Sequence, residues 1–447
     1  VTRSARVQAI SQILRLSPGL RRVAAGYAAK VACSAHFGAG RALNSILAED
    51  LEGVPDPQVS FDEARREVRV QVRGCERRAI YRDDLGGVLL QDDEELAIAP
   101  LPARPVRRTP ELPWPAGEVA PREWPLPRAA RAALDEVLSE AFSEPHAQPR
   151  RTRAVVIVQH GRLVAERYAP GFSHDRRLLG WSMTKSVVNA LCGRLVEQGK
   201  LDLREPLAAP EWGRDDPRSR ISFDSALRME SGLRFWEQYW NPLSHVVGML
   251  FNRPSAAAYA ANFKAVARPD THWSYASGTS NVVVRAAMAR MGDQAQALSY
   301  PARELFDKIG MTSAQLEIDA SGHFVGSSFC WATARDWARF GQLYLQRGEW
   351  EGERLLPAGW WEYTSAPTPN APEGEYGAHF WLNAGKGGRR MHPTLPDELV
   401  MARGFEEQSI TIVPSRQLVI VRLGQTANRP AWDLDGFIRG VLKALPT

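Results

Sequence analysis

Between Pro100 and Pro127 nine of twenty-eight residues are proline. No helix interior or central strand tolerates that density, because each proline removes a backbone N–H and fixes φ near −65°. The stretch reads as an extended strap over 100–127 that divides the chain into two units, residues 1–99 and 128–447. Upstream of it, apolar residues recur at helical spacing, first Val7, Ile10, Ile13 and Leu14, then Val23, Ala24, Tyr27 and Val31, and predict two or three helices within 4–50. Val68–Arg73 then alternates with period two, and Ala79–Tyr81 and Val88–Leu90 are short apolar runs beside Gly86-Gly87, so strands follow the helices. The upstream unit is a small α+β accessory domain that carries no chemical motif.

Downstream, 128–142 reads as a helix. Two β-rich runs within 154–168 meet at His160-Gly161 and predict a hairpin. A second hairpin is expected near the other end, Gln408–Val413 and Leu418–Leu423 about a Pro414-Ser-Arg turn, before a last helix from about Trp432 to Leu445. Strands from both ends of this unit are expected to share one antiparallel sheet, with the middle of the chain inserted as helices and loops.

Composition excludes several functions. The net charge of +5 is mild and its arginines alternate with acids, which speaks against nucleic-acid binding. No apolar run within 1–447 reaches the roughly 18 residues of a membrane span. Nine histidines and four cysteines show no metal-ligand spacing, so neither a metal nor a cofactor is expected. Cys33 and Cys75 are compatible with a disulfide in an oxidising compartment and equally with two separate buried thiols. No Gly-x-Ser-x-Gly elbow occurs, which counts against an α/β-hydrolase.

The chemistry concentrates at Gly180-Trp181-Ser182-Met183-Thr184-Lys185-Ser186, which opens a helical run closed by Gly199. On a helix Ser182 and Lys185 share one face, one turn apart. A serine attacks a carbonyl only if a neighbour takes its proton, and a lysine can be that neighbour once burial lowers its pKa. The chain holds seven lysines against forty-nine arginines. A guanidinium cannot serve as a base, so lysine is the minority choice where a base is needed. With twenty-eight serines, roughly 0.4 Ser-x-x-Lys matches would still arise by chance, so the motif needs partners. One is Tyr275, in His272-Trp-Ser-Tyr275-Ala-Ser277, on a loop that enters a helical run from Val282 to Met291. A phenol of lowered pKa held near Lys185 can relay the serine proton; the ordinary alternative is a packing tyrosine.

Ser182-x-x-Lys185, Tyr275-x-Ser277 and Arg403-Gly404-Phe405, in that order, resemble the penicillin-recognising serine hydrolases, class C β-lactamases and their esterase and amidase relatives above all. Trp181–Ser186, Ser274–Ser277, Ala332–Gly341 and Gly404–Gln408 are most similar to the 6-aminohexanoate-dimer hydrolase group and family VIII-type carboxylesterases. The resemblance covers about residues 150–447. It implies a β-lactamase/transpeptidase-like antiparallel sheet flanked by helices, an α/β (α+β) fold, with Ser182 as nucleophile, Lys185 as base and Tyr275 as relay. It also implies an oxyanion hole from the backbone N–H groups of Ser182 and Phe405. Substrate contacts are expected from Trp181, Ser277, Arg403, Gly404 and the aromatic loop of Phe235, Trp236, Tyr239 and Trp240, which relatives place over the site. Those aromatics packing on the core is the bland alternative, and Glu237 among them is either a solvated charge or a catalytic group.

Three departures bear on substrate. Ser277 stands where β-lactamases carry Asn, Ala402 replaces the lysine that steadies a β-lactam carboxylate unless Arg403 takes its place, and Glu407 stands where relatives have Gly. The expected activity is therefore hydrolysis of a small ester or amide through an acyl-enzyme, with efficient β-lactam turnover not expected. A cell-wall D,D-peptidase or penicillin-binding enzyme, and a non-catalytic ligand sensor on the same fold, are the alternatives. Family habit and the start at Val1 suggest a periplasmic or exported protein that has lost an upstream signal or anchor, with a cytoplasmic location left open.

Overall fold

The computed structural model describes residues 17–446 except 92–94, 97, 99–100, 102–110, 122–123, 146–148 and 427–428. Its frame is a six-stranded sheet, antiparallel throughout, in the order β7 (Trp381–Leu382), β8 (Val400–Gly404), β9 (Gln408–Val413), β10 (Leu418–Gly424), β5 (Thr152–Gln159), β6 (Arg162–Tyr168). The β10–β5 pairing joins the two ends of the downstream unit, so strands from both ends meet as expected. The β5–β6 hairpin closes on His160 and Gly161 at φ 51 and 70, the left-handed pair that a two-residue turn demands.

Both faces of the sheet are covered, which is why every residue of β5, β9 and β10 is buried. Ala154, Val156 and Val158 face one core, with Ile410, Val419 and the helices that carry Val187 and Phe340. Val155, Ile157 and Ile420 face the other, against Leu134 and Leu138 of α2 (Arg128–Ala141) and Phe437 and Ile438 of α7 (Leu434–Ala444). The last helix begins two residues later than its periodicity suggests, because the Asp433 side chain caps it by accepting from Gly436 N–H at 2.8 Å.

Upstream, α1 (Pro18–Cys33) packs on a four-stranded antiparallel meander, β1 (Gln58–Asp62), β2 (Glu67–Val72), β3 (Cys75–Arg82) and β4 (Gly86–Leu89). Sequence periodicity finds β2 to β4 but not β1. That edge strand alternates only between exposed and half-buried positions and so lacks an apolar face. The series Val7 to Leu14 lies outside the described residues. The meander does not stand apart: Val23, Leu85, Val88 and Leu90 belong to the same core as Val187. Lys30 forms a buried ion pair with Glu317, which also accepts from Ser34 Oγ at 2.7 Å and Gly87 N–H at 2.8 Å.

The described part of the strap, around 111–121, is clamped to α6 (Ala334–Leu345). Arg339 donates to the Pro115 and Gly117 carbonyls at 2.9 and 2.6 Å, and Arg335 donates to the Glu118 carbonyl at 2.5 Å. All four cysteines are free thiols. Among the described residues no helix is long and apolar enough to cross a membrane.

Candidate active site

The turn before Ser182 is built from the inside. Leu178–Leu179 pairs with Cys330–Ala332, and Gly180 N–H continues that pairing to the Cys330 carbonyl at 2.9 Å. The chain then turns sharply at Trp181, whose φ of 48° is unusual for a bulky residue. Thr184 secures the bend: its hydroxyl donates to the Trp181 carbonyl at 2.6 Å and accepts from Cys330 N–H at 3.0 Å. Gly180 has no alternative, since a Cβ there would sit 2.5 Å from the Trp337 ring. Ser182 emerges as the N-cap residue of α3 (Met183–Glu197), where helix geometry leaves N–H groups without intrahelical partners.

Lys185, one turn into α3, is 1% exposed. Its Nζ donates to Ser182 Oγ at 2.9 Å, Ser277 Oγ at 3.0 Å and the Ser327 carbonyl at 3.0 Å. Among the described residues no carboxylate pairs with it directly. Burial lowers its pKa to about 8, against a smaller upward pull from Glu237. A neutral amine at this distance can take the proton of the hydroxyl it touches.

Ser277 opens α5 (Ser277–Met288) and continues the chain of contacts to Glu237. Its hydroxyl donates to Glu237 Oε1 at 2.5 Å and its N–H to Oε2 at 2.8 Å. The Glu237 carboxyl is raised by burial, against the pull of Lys185 and the Ser277 hydrogen bonds. Tyr275 lies on the other side of Lys185, whose Nζ is 4.8 Å from its ring centroid, with its phenol on the Ser182 side. The ring is wedged against Tyr376 and Trp381, at 5.8 and 5.2 Å between centroids. Here the structure differs from expectation. The Tyr275 phenol is pushed well up rather than lowered, by burial first and then by Tyr376 and Glu237. A phenol in that setting stays protonated and acts as a donor.

The third wall is the β8–β9 turn. Gly404 passes directly over the Ser182 turn, where a Cβ would lie 2.2 Å from the Gly180 carbonyl oxygen. Phe405 follows, its ring stacked on Tyr239 at 4.7 Å and edge-on to Trp181 at 5.5 Å. The Tyr239 hydroxyl reaches toward Ser182, Ser277 and Ser328, and burial raises its pKa. Arg403 is engaged by Glu407 at 3.1 Å, and Glu407 also meets Arg429 at 3.1 Å.

Of the aromatic loop, only Tyr239 joins the Ser182 side. Phe235 is packed on the start of α5, where it fills the space beside Gly278, and contacts His245 and Phe263. Trp236 and Trp240 are 40% and 72% exposed. The place of Glu237 against Ser277 is not legible in the sequence beyond one signal, a carboxylate amid four aromatics. The Ser327 carbonyl has none, because a backbone acceptor leaves no mark on residue type.

A family profile described as Beta-lactamase matches residues 138–440. The chain is 25% identical over 320 residues to the 6-aminohexanoate-dimer hydrolase of Paenarthrobacter ureafaciens, a match that covers 65% of this chain and 77% of that protein. Among solved structures, a class C beta-lactamase superposes with a TM-score of 0.52 at 15% identity, over 71% of this chain and 97% of its own. The octameric penicillin-binding protein homologue from Pyrococcus abyssi does so with a TM-score of 0.52 at 16% identity, over 70% and 76%. At these identities the structural likeness speaks for the fold, and the sequence match carries the relationship: the chain belongs to the beta-lactamase family of serine hydrolases.

Proposed function

We propose that the protein hydrolyses a small, uncharged ester or amide through an acyl-enzyme on Ser182. The observation that carries this reading is the Lys185 amine, buried, with no carboxylate directly on it among the described residues, and 2.9 Å from the Ser182 hydroxyl. Neutral Lys185 removes the Ser182 proton as Oγ bonds to the substrate carbonyl carbon. The developing oxyanion is taken by the N–H groups of Ser182 and Phe405. The protonated Tyr275 phenol supplies the leaving group with its proton and is restored by the Lys185 ammonium. Water then repeats the attack on the acyl-enzyme and releases the acid.

Two features support an uncharged acyl side. Trp181, Tyr239 and Phe405 form an aromatic wall beside Ser182. Arg403, the cation nearest the position of the missing lysine, is already engaged by Glu407. The 6-aminohexanoate-dimer hydrolase relationship favours linear amides among the candidates and p-nitrophenyl esters as reporters.

Intact-mass measurement during turnover of p-nitrophenyl esters, linear amide oligomers and a penicillin tests the reading. A transient adduct and turnover with esters or amides, both absent in Ser182→Ala, are expected. Wild-type hydrolysis by purified Ser182→Ala would overturn the assignment, and a long-lived penicillin adduct would move the protein to the cell-wall enzymes.

A further inference from the structure

The turn that carries Phe405 is held from behind by residues the hydrolytic reading does not use. Glu406 and Glu407 both adopt left-handed backbone, φ 62 and 63. Non-glycine residues keep that conformation only where their surroundings over-determine it. The restraint acts on their carbonyls. Arg422, wholly buried on β10, donates Nη1 to the Glu406 and Glu407 oxygens at 3.1 and 3.0 Å, and Nη2 to Thr426 Oγ1 at 2.8 Å. The Thr426 N–H adds a second donor to the Glu406 carbonyl at 3.2 Å.

Gln425, one residue back, is fastened to the upstream unit. Its Nε2 donates to the Glu49 carbonyl at 3.1 Å, and its Oε1 accepts from Arg153 Nη2 at 3.0 Å. Arg153 is in turn paired with Glu49 and, at 3.3 Å, with Asp50. Arg41 closes on Asp50 from the same segment, and the Tyr27 hydroxyl of α1 donates to the Asp50 carbonyl at 2.9 Å. The Arg153 charge and the Trp181 indole both act on the Glu406 carboxyl, which ties this group of residues electrostatically to the Phe405 turn.

We propose that the upstream unit is a working part of the acyl-transfer site: Glu49 and Asp50, acting through Arg153 and Gln425, hold the Glu406–Glu407 turn and thereby aim the Phe405 N–H at the reacting carbonyl oxygen. The inference rests on the proposed role of Phe405 as an oxyanion donor. Such donors accelerate a reaction only when they are already in place as charge develops, so their loss falls on kcat rather than on ground-state binding. Glu49, Asp50, Arg153 and Gln425 are positioning residues, since none of them touches Ser182.

The test uses the full chain. Gln425→Leu keeps the size of the side chain and removes both polar contacts; Asp50→Asn keeps size and removes the charge. With a p-nitrophenyl ester, each variant is expected to lose at least about tenfold in kcat, given that a displacement of about 1 Å costs about a hundredfold. KM should stay within about twofold and the Lys185-governed acid limb of the pH profile should not move. A folded variant with wild-type kcat overturns the inference, and so does a loss of kcat accompanied by a shifted acid limb, which would trace the effect to Lys185. Should Gln425→Leu not fold, Asp50→Asn supplies the decision. Ser182→Ala separates the two levels: wild-type turnover in that variant defeats the hydrolase reading itself, whereas an inactive Ser182→Ala beside a fully active Gln425→Leu defeats only the positioning role of the upstream unit.

Discussion

Replacing Glu237 by Gln tests how the site sets the basicity of Lys185. The Ser277 hydroxyl spans the two groups, 3.0 Å from Nζ and 2.5 Å from Oε1, so the charges lie at most about 5.5 Å apart. At an effective dielectric of about 20 to 40 for this partly buried pair, their attraction is about 1.5–3 kcal/mol, or about 1–2 pK units. The Glu237 carboxylate favours the ammonium form of Lys185, so it opposes the lowering that burial produces. Removing that charge therefore lowers the amine further. In the wild type, kcat/KM with a p-nitrophenyl ester is expected to rise through an acid limb near pH 8 as Lys185 loses its proton. In Glu237→Gln the limb is expected about 1–2 units lower, with a reduced plateau because a weaker base assists the attack less. The limb belongs to the coupled pair, and its displacement is the readout. A folded Glu237→Gln enzyme whose acid limb stays near pH 8 would refute the coupling, and with it the assignment of Lys185 as the base that limits the rate.

Other changes probe the walls of the site and its support. Gly404→Ala puts a methyl 2.2 Å from the Gly180 carbonyl oxygen, so the strand must move away from Ser182 and kcat should fall by about a hundredfold; wild-type kcat would show that this close approach is unimportant. Glu407→Gln releases Arg403 from its carboxylate partner, and KM for substrates with an anionic acyl group should drop relative to neutral ones; an unchanged ratio would remove Glu407 as the selectivity element. Lys30→Met strands the buried Glu317 carboxylate and should cost about 3–5 kcal/mol in urea denaturation, and a loss below about 1 kcal/mol would contradict the buried-pair argument.

Features that depend on local pattern are legible in the chain itself. Alternating and continuous apolar runs around His160-Gly161 and Pro414-Ser-Arg form hairpins, and three residues of helix necessarily bring Lys185 to Ser182. The ordered triplet of motifs points to the family that the profile match over residues 138–440 shows. Features that depend on contacts between distant segments emerge only on folding. The depression of Lys185 arises from burial beneath Ser277 and Ser327, residues 92 and 142 positions away. The same enclosure raises Tyr275 against the lowered value expected of it, because burial disfavours a phenolate and Tyr376 and Glu237 add to that penalty. Of four aromatics in one loop, the fold turns Tyr239 inward and leaves Trp240 to solvent, a choice no composition encodes. The link from Glu49 through Gln425 to the Phe405 turn joins residues 376 positions apart, and the acceptors at both of its ends are backbone carbonyls that every residue possesses, so only the folded arrangement could reveal it.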